Sequence, residues 1–293
     1  MVTTGKATVN FADQTASPAA KQNPNGFPLA PADFAHRPLF EVVADLLMQR
    51  ATPGPATCAQ LNDWLEMMQP RPLTAGGSVL RFVVPDAAAI GYEERIFTTG
   101  EVVTRPDNWH DFFNALVWMR FARSKAALNA LHVRIMRRGK AGSGRGPVRD
   151  AATQFDESGI VVASADSSLL DLLARRCWQE LFWVRRADVV KSMRFLVFGH
   201  GLYDALHAPF YLMCARVATI EVEREVIDRD VVAQCAHVDT ILAQRFATEG
   251  AWYPRPRALL ALPVLGIPGV TAESECAEYY ADTGQFRPRP AWI

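Results

Sequence analysis

The sequence predicts an α+β fold, in which a predominantly helical single domain carries a β-hairpin and a small, mostly antiparallel sheet. Apolar stripes with helical spacing outnumber strand-like runs. The hydrophobic fraction, 49% of 293 residues, is large enough to form a sizeable core. No repeat or interdomain linker is evident, so we expect a flexible polar tail over residues 1–35 and a single domain over residues 36–293 with a flexible basic loop at residues 137–148.

The amino-terminal half of the domain begins with two short helices. Apolar spacing predicts them in PLFEVVADLLMQR and in TCAQLNDWLEMM, the second with Thr57 as its N-cap. SVLRFVV is typical of a strand, and YEERIFTTGEVVTR predicts a hairpin that turns at Thr99-Gly100. Two further helices are expected over residues 107–121 and 124–138.

The second half alternates between helices and strands. After the glycine-rich stretch RRGKAGSGRGPVR, RDAATQFDESGIVVAS predicts a loop that enters a strand. SSLLDLLARRCWQELFW and MRFLVFGHGLYDALH predict helices, CARVATIEVE predicts a strand, and DVVAQCAHVDTILAQRFA predicts a helix that begins at Asp228 or Asp230. The remaining segment is rich in Pro and Gly yet apolar, so we expect it to wrap the surface of the domain.

Composition excludes several classes of protein. Lys plus Arg equals Asp plus Glu at 31 each, so no global field favours DNA or an anionic membrane. Five cysteines without a CxxC pair indicate neither a disulfide framework nor a thiolate zinc site, and reduced thiols are typical of the cytoplasm. The amino terminus lacks the apolar region of a signal peptide, and polar residues interrupt the most apolar stretch. We therefore expect a cytoplasmic protein with no membrane partner.

The stretch NWHDFFNALVWMRFARSKAALNALH, residues 108–132, places polar residues within two apolar helices. Helical spacing gathers them on one flank of each helix. They are His110, Asp111 and Asn114 in the first helix, and Lys125, Asn129 and His132 in the second, for which Ser124 is the expected N-cap. If the two helices are antiparallel neighbours, His110 and His132 approach each other.

Two other segments supply compatible chemistry, namely Asp156-Glu157 in FDESG and His200 in GHGLYDALH. Neutral imidazoles and carboxylates suit Zn, Mn or Fe, and a divalent metal can generate a nucleophile from water near neutral pH. No HExxH spacing fixes the ligand set. The predicted metal ligands are His110, His132, Asp156 and His200.

The first hypothesis is therefore a metal-dependent hydrolase that acts on a phosphodiester or another small anionic substrate. Such an enzyme needs a general base, a cation that stabilises developing negative charge, and amides that orient groups. The candidates are, in that order, Asp111 or Glu157, Lys125 or Arg149, and Asn114 with Asn129.

The second hypothesis is a non-catalytic binding or scaffold protein, in which the same polar cluster is structural. Either the basic stretch from Arg134 to Arg149 or the Pro-rich carboxyl-terminal segment would then bind a partner, and nucleic acid is a candidate only through the basic loop. GKAGSGRG lacks the GxxxxGK[ST] order of a phosphate-binding loop. The predicted hairpin also lacks the general-base histidine of ββα-metal nucleases.

Several motifs together resemble a proteobacterial family known as domain of unknown function 3025. They are YEERI, TRPDNWHDFFNALVW, SKAALNALH, RDAATQFDESG, FGHGLYDAL, and LPVLGIPG followed by YYADTGQFRP. The resemblance extends from roughly Leu39 to Pro288. It implies a cytoplasmic bacterial protein, and it carries over no activity, ligand or catalytic residue.

Overall fold

The computed structural model describes residues 29–87, 90–139 and 146–288. Within these ranges the helices are α1 Ala44–Leu47, α2 Cys58–Met67, α3 Tyr92–Thr99, α4 Trp109–Arg120, α5 Ala122–Arg138, α6 Pro147–Ser158, α7 Ser167–Ala174, α8 Arg186–Ser192, α9 His200–Leu206, α10 Arg224–Ile227 and α11 Val231–Ala247. The strands are β1 Arg81–Val83, β2 Glu101–Val103, β3 Gly159–Ser164, β4 Met193–Val197, β5 Cys214–Glu221 and β6 Leu260–Pro263. Most of the predicted tail, residues 1–28, and residues 140–145 of the predicted basic loop lie outside the described residues.

The main sheet has four strands in the order β4-β3-β5-β6. Strand β3 pairs antiparallel with β4 and parallel with β5, and β5 pairs antiparallel with β6. A second, two-stranded sheet pairs β1 parallel with β2. The α+β class is confirmed, but the four-stranded sheet is mixed and the two-stranded sheet is parallel.

The core lies between the main sheet and the helices. Every residue of β3 is buried, as its position inside the sheet requires. Phe34 is fully buried and its ring lies 5.2 Å from that of Trp109 on α4. The ordered fold therefore already includes residues 29–35, which the sequence assigned to the tail. No helix in the described part of the chain has the length and apolar character needed to cross a bilayer.

Several predicted helix boundaries are confirmed. Thr57 caps α2 by accepting a hydrogen bond from the backbone N–H of Gln60. Asp230, one of two predicted starts, caps α11 through the N–H of Ala233. The expected capping role of Ser124 is wrong, because α5 begins at Ala122 and Ser124 lies inside it. The Ser124 hydroxyl instead donates to the backbone oxygen of Asp239 on α11.

The predicted hairpin at Thr99-Gly100 is also wrong. Residues 92–99 form α3, and Gly100 ends this helix with φ 77°, the left-handed conformation that glycine adopts without strain. The same glycine therefore serves as a helix cap and not as a hairpin turn. Ile96 is buried because α3 packs on α5, and this tertiary contact outweighs the β-like alternation of the segment.

Two further predictions are wrong. The segment RDAATQFDESG, expected to be a loop, forms most of α6. Pro147 opens α6, and Ala151, Ala152 and Phe155 form its buried stripe. MRFLV is not helical but forms β4, at the edge of the sheet. Asp156 and Glu157 consequently lie in the last turn of a helix, and His200 begins the next helix after a strand.

The segment SSLLDLLARRCWQELFW, expected to be one helix, is divided into two helical pieces. Helix α7 ends at Ala174, Arg176 has φ 57°, and a single π turn occupies Glu180–Val184. After β5 and α11 the carboxyl-terminal segment follows the surface in short 3-10 turns, with β6 as its strand. Within this segment the Tyr280 hydroxyl donates a hydrogen bond to the backbone oxygen of Gly266, and this bond stabilises its conformation.

Candidate functional site

A polar pocket of about 300 Å³ lies where the start of α4, the end of α5, the end of α6 and the start of α9 meet. Its lining includes eight of the ten residues that the sequence nominated. These are His110, Asp111, Asn114, His132, Arg149, Asp156, Glu157 and His200. The other two, Lys125 and Asn129, line a smaller cavity that shares walls with this pocket. His110 and His132 thus lie in one pocket, as an antiparallel α4–α5 pair predicts.

His110, Glu157 and His200 form the tightest group of potential metal ligands. Each offers one ligand atom, and these atoms lie within 4.8 Å of one another. Glu157 Oε1 lies 3.7 Å from His200 Nε2, and Glu157 Oε2 lies 3.9 Å from His110 Nε2. The centroids of the two imidazole rings are 4.5 Å apart. We call these three residues the His/Glu cluster.

Glycine residues allow α9 to reach α6. A Cβ atom on Gly201 would lie 2.7 Å from Glu157 Oε2 and 2.9 Å from the Glu157 backbone oxygen. A Cβ atom on Gly199 would lie 2.6 Å from the same backbone oxygen. The sequence Gly-His-Gly therefore places His200 against Glu157 because neither neighbour carries a side chain.

Asp156 lies behind the His/Glu cluster. Its Oδ1 accepts a hydrogen bond of 2.5 Å from Lys125 Nζ, and its Oδ2 lies 3.9 Å from His200 Nδ1. Lys125 also donates to Asn114 Oδ1 at 3.0 Å, and Asn114 donates to the Tyr92 hydroxyl at 3.1 Å. This chain of polar contacts ties α3, α4, α5 and α6 together behind the pocket.

The electrostatics separate these groups into charged and neutral ones. Burial lowers the pKa of His200 to about 4, so its imidazole is neutral at pH 7, as a metal ligand must be. Burial raises the pKa of Glu157. Burial also acts to raise the pKa of Asp156, but Lys125 and then His200 outweigh it, and the net pKa lies below its usual value.

Asp111, a candidate general base, is already engaged. Arg105 donates to it through its guanidinium at 2.8 and 2.9 Å and through its backbone N–H at 2.8 Å. The Asp111 N–H is in turn bonded to Asn108, the N-cap of α4. Burial acts to raise the pKa of Asp111, and the bonds from Arg105 lower it below its usual value. Asp111 thus fixes the start of α4.

The structure adds two residues that sequence reasoning missed. Glu93 lines the pocket, and its Oε2 accepts a hydrogen bond of 2.7 Å from Asn129 Nδ2. Burial raises the pKa of the Glu93 carboxyl. Tyr92 is the second, through its bond to Asn114. Both belong to YEERI, which the sequence analysis assigned to a strand. In the structure this segment begins α3, from which Tyr92 contacts Asn114 and Glu93 contacts Asn129.

Arg149 is a basic residue of the pocket wall whose side chain has an unsatisfied hydrogen-bond donor among the described residues. It lies on the pocket wall in the first turn of α6, and its Nε is buried with no hydrogen-bond partner in the described part of the chain. His132 lies on the same wall, 4% exposed. The pocket therefore contains both the His/Glu cluster and the guanidinium group of Arg149, which can bind an anion.

The sequence profile of the family described as "Protein of unknown function (DUF3025)" matches residues 80–290. The chain belongs to this family. The DUF3025 match begins just before β1 and includes every residue that lines the polar pocket. A search of curated proteins and a search of solved structures each found no significant match. The DUF3025 assignment therefore identifies the family without naming an activity.

Proposed function

We propose that this DUF3025 protein is a metal-dependent hydrolase whose divalent ion, Zn, Mn or Fe, binds at the His/Glu cluster. The observation that carries the proposal is the convergence of His110, Glu157 and His200, with ligand atoms within 4.8 Å of one another. Three different helices supply these groups. Two imidazoles and one carboxylate are a common donor set of catalytic sites, and three protein ligands leave one position open.

The three donor atoms, which lie within 4.8 Å of one another, must move closer together to bind one metal ion. Tetrahedral bonds of about 2.0–2.1 Å place neighbouring ligand atoms roughly 3.4 Å apart. Glu157 approaches the two histidines through different oxygens, Oε1 at 3.7 Å from His200 Nε2 and Oε2 at 3.9 Å from His110 Nε2, so binding through one oxygen requires its carboxylate to reorient. A divalent ion would supply Lewis acidity and a lowered pKa of bound water. In this arrangement Glu157 acts as a ligand and not as the general base.

Asp156 acts in this proposal as a positioning residue and not as a ligand. His200 Nδ1 is buried without a hydrogen-bond partner among the described residues, and Asp156 Oδ2 is the carboxylate oxygen 3.9 Å away. A histidine that binds a metal through Nε2 commonly donates its other ring N–H to a carboxylate. Lys125 keeps Asp156 ionised for that role.

The substrate proposed for this site is a small anion such as a phosphodiester. Arg149 is the basic side chain on the pocket wall whose Nε has no bond within the described ranges. A guanidinium binds a phosphate through two parallel hydrogen bonds. Arg149 would thereby hold the anionic group beside the His/Glu cluster and stabilise charge that develops during hydrolysis.

The test is elemental analysis of protein purified without a metal-affinity tag, followed by assay with bis(p-nitrophenyl) phosphate. We expect one divalent ion per chain in the wild type, and loss of the ion in H110A, H200A and E157Q. H36A is the matched control, because His36 is exposed and lies outside the pocket. A wild-type protein that binds no divalent ion would overturn the proposal.

The alternative is a non-catalytic protein in which the polar cluster is structural. The 4% exposure of the Lys125 side chain and its bond to Asp156 favour it, because buried networks of this kind make a fold specific. Under this alternative H110A and E157Q lower the melting temperature and leave metal content unchanged. Under the hydrolase proposal they remove the metal with a neutral or stabilising effect on the metal-free protein.

A further inference from the structure

A second pocket, of about 220 Å³, lies between the end of α7, the start of β5, strand β6 and the carboxyl-terminal segment. It shares no lining residue with the polar pocket. Arg176, Cys214 and Arg287 lie on its wall, and no Asp or Glu does. The pocket is therefore a basic depression on a chain whose formal net charge is zero.

A third arginine belongs to the same region. Arg216 and Cys214 lie two positions apart on β5, so their side chains project from the same face of the sheet. The charges of Arg216, Arg287 and Arg176 all act on the Cys214 thiol and lower its pKa, although burial raises the pKa more. On the neighbouring strand β6, Cys214 is opposite Pro263 and Arg216 is opposite Ala261, and both β6 residues line the pocket, so Arg216 lies at its edge.

The side chains of Arg176 and Arg216 form no hydrogen bond or ion pair within the described ranges. Arg287 donates through its Nε to the Gly284 backbone oxygen at 3.3 Å, which leaves its two terminal nitrogens available. Asp282, an acid of the same segment, accepts instead from the Tyr211 hydroxyl at 2.8 Å. Repulsion among these arginines is consequently not balanced by a carboxylate on the pocket wall.

The backbone at the pocket is strained at two positions. Arg176 has φ 57° and Leu212 has φ 70°, both in the left-handed region that residues other than glycine seldom occupy. Both residues line the pocket. Strain of this kind is concentrated at ligand sites, where the surrounding structure holds it in place.

We propose that Arg176, Arg216 and Arg287 form a binding site for the phosphate group of a small ligand, separate from the His/Glu cluster. Three guanidinium groups match the charge and the hydrogen-bonding geometry of a phosphate dianion better than those of a carboxylate. At about 220 Å³ the pocket is smaller than the sites of drug-sized ligands, which span about 300–1,000 Å³. It therefore accommodates a phosphate and a few attached atoms.

Cys214 provides the readout, because an anion that neutralises the arginines raises the pKa of its thiol and covers it. The full chain is treated with iodoacetamide, with and without inorganic phosphate, at constant ionic strength set by sodium chloride. Mass spectrometry then follows labelling of Cys214 and, as an internal control, of Cys276, which is exposed elsewhere. We expect phosphate to slow labelling of Cys214 saturably and to leave labelling of Cys276 unchanged.

Calorimetry with inorganic phosphate measures the dissociation constant in matched variants. R176Q and R216Q should each weaken binding about tenfold or more, the effect of losing a charge-assisted hydrogen bond. R287Q is the additional variant in case R216Q does not fold. R257Q is the control, because Arg257 is exposed and lies outside the pocket. Phosphate binding that is the same in R176Q, R216Q and R287Q as in R257Q overturns the proposal.

Two further comparisons distinguish phosphate binding by these arginines from general ionic screening and from binding at the His/Glu cluster. Equal protection of Cys214 by acetate and by phosphate would indicate screening by any anion, and it also overturns the proposal. Phosphate binding that is lost in H200A but kept in R176Q would place the anion at the His/Glu cluster and overturn it as well. Binding that is kept in H200A and lost in R176Q supports the second site, whether or not the cluster holds a metal.

Discussion

At the residue scale, Lys125 is the charged side chain that the fold encloses most completely around the polar pocket. Its side chain is 4% exposed, and its ammonium group meets Asp156 Oδ1 at 2.5 Å and Asn114 Oδ1 at 3.0 Å. Desolvation of both ions offsets much of their mutual attraction, so the pair adds little net stability. Removal of one partner leaves a buried charge without compensation.

K125M is therefore expected to lower the free energy of unfolding by about 2 kcal/mol, less than for a fully buried pair, because Asp156, 23% exposed, loses its cation. The double variant K125M/D156N should recover part of this loss. R138M is the control, since Arg138 and its partner Glu249 are 62% and 76% exposed and such pairs contribute less than about 1 kcal/mol. Urea unfolding measures all three, and equal losses in K125M and R138M would contradict the prediction.

The pH dependence of stability follows from His200. Its pKa falls from 6.5 in the unfolded chain to about 4 in the fold through burial, so the unfolded chain binds the extra proton between these values. The contribution of His200 is fully present above pH 6.5 and is lost as pH falls toward 4. The groups that face it are Asp156 and Glu157 from α6, His110 from α4 and Lys125 from α5.

We expect metal-free protein in EDTA to lose more stability between pH 7 and pH 5 than the variant H200Q, which has no imidazole at this position. Thermal melts across this interval give the comparison. H36Q serves as the control, because His36 is exposed and should leave the wild-type profile unchanged. A profile of H200Q that is as steep as that of the wild type would show that another group controls the acid response.

At the scale of elements, the site depends on how closely α9 approaches the end of α6. Gly199 and Gly201 are the positions where a side chain would meet Glu157. Strand β4 ends three residues before His200, the first residue of α9, and Glu157 lies in the last turn of α6. The pocket is thus formed by the ends of elements, where backbone direction changes within a few residues.

G201A should lower stability by about 1–3 kcal/mol, because the added methyl group would lie 2.7 Å from Glu157 Oε2 and 2.9 Å from its backbone oxygen. Displacement of Glu157 should also weaken metal binding. The matched control is G91A, where a Cβ atom meets nothing within 4 Å and the expected loss is the roughly 1 kcal/mol of a weaker N-cap. Competition with a chelator measures affinity, and unchanged affinity in G201A would refute the geometric argument.

At the scale of the whole molecule, the proposed metal would join α4, α6 and α9. These helices are far apart in the chain, and their ligands come together only in the folded state. A ligand that binds the folded state alone stabilises it by an amount set by its concentration relative to the dissociation constant. Metal binding would therefore oppose global unfolding and not only local opening of the pocket.

Removal of metal with EDTA should lower the melting temperature, and restoring Zn, Mn or Fe at about 100 times the dissociation constant should return roughly 2.7 kcal/mol. E157Q should show no response to either treatment, while H36A should respond like the wild type. Differential scanning calorimetry records the shift. A response of E157Q equal to that of the wild type would place the metal elsewhere on the chain.

Much of the local structure could be predicted from sequence because its causes are local. Apolar spacing located α2, α4, α5 and α11, and the capping residues Thr57 and Asp230 marked two of their starts. β5 was predictable from its β-branched residues. The same reasoning failed for α3, α6 and β4, where packing on neighbouring elements decided between helix, loop and strand.

The chemistry of the site could be predicted in kind but not in arrangement. Helical spacing alone nominated His110, Asn114, Lys125 and His132, and all lie around one polar region. Helical spacing cannot tell whether Asp156 or Glu157 faces the histidines, because that depends on the angle at which α6 ends. Glu93 was missed since its segment resembled a strand.

Local patterns along the chain are enough to predict the class of fold, the helices with strong apolar periodicity, the residue types of the site and the balance of charge. Packing between distant elements determines which carboxylate lies beside His110 and His200, which one pairs with Lys125, and that Arg176 and Arg287 line one pocket with Cys214. The physical reason is that periodicity and capping act within a few residues along the chain. Ligand sets depend on distances between elements, which only the packing of the core fixes.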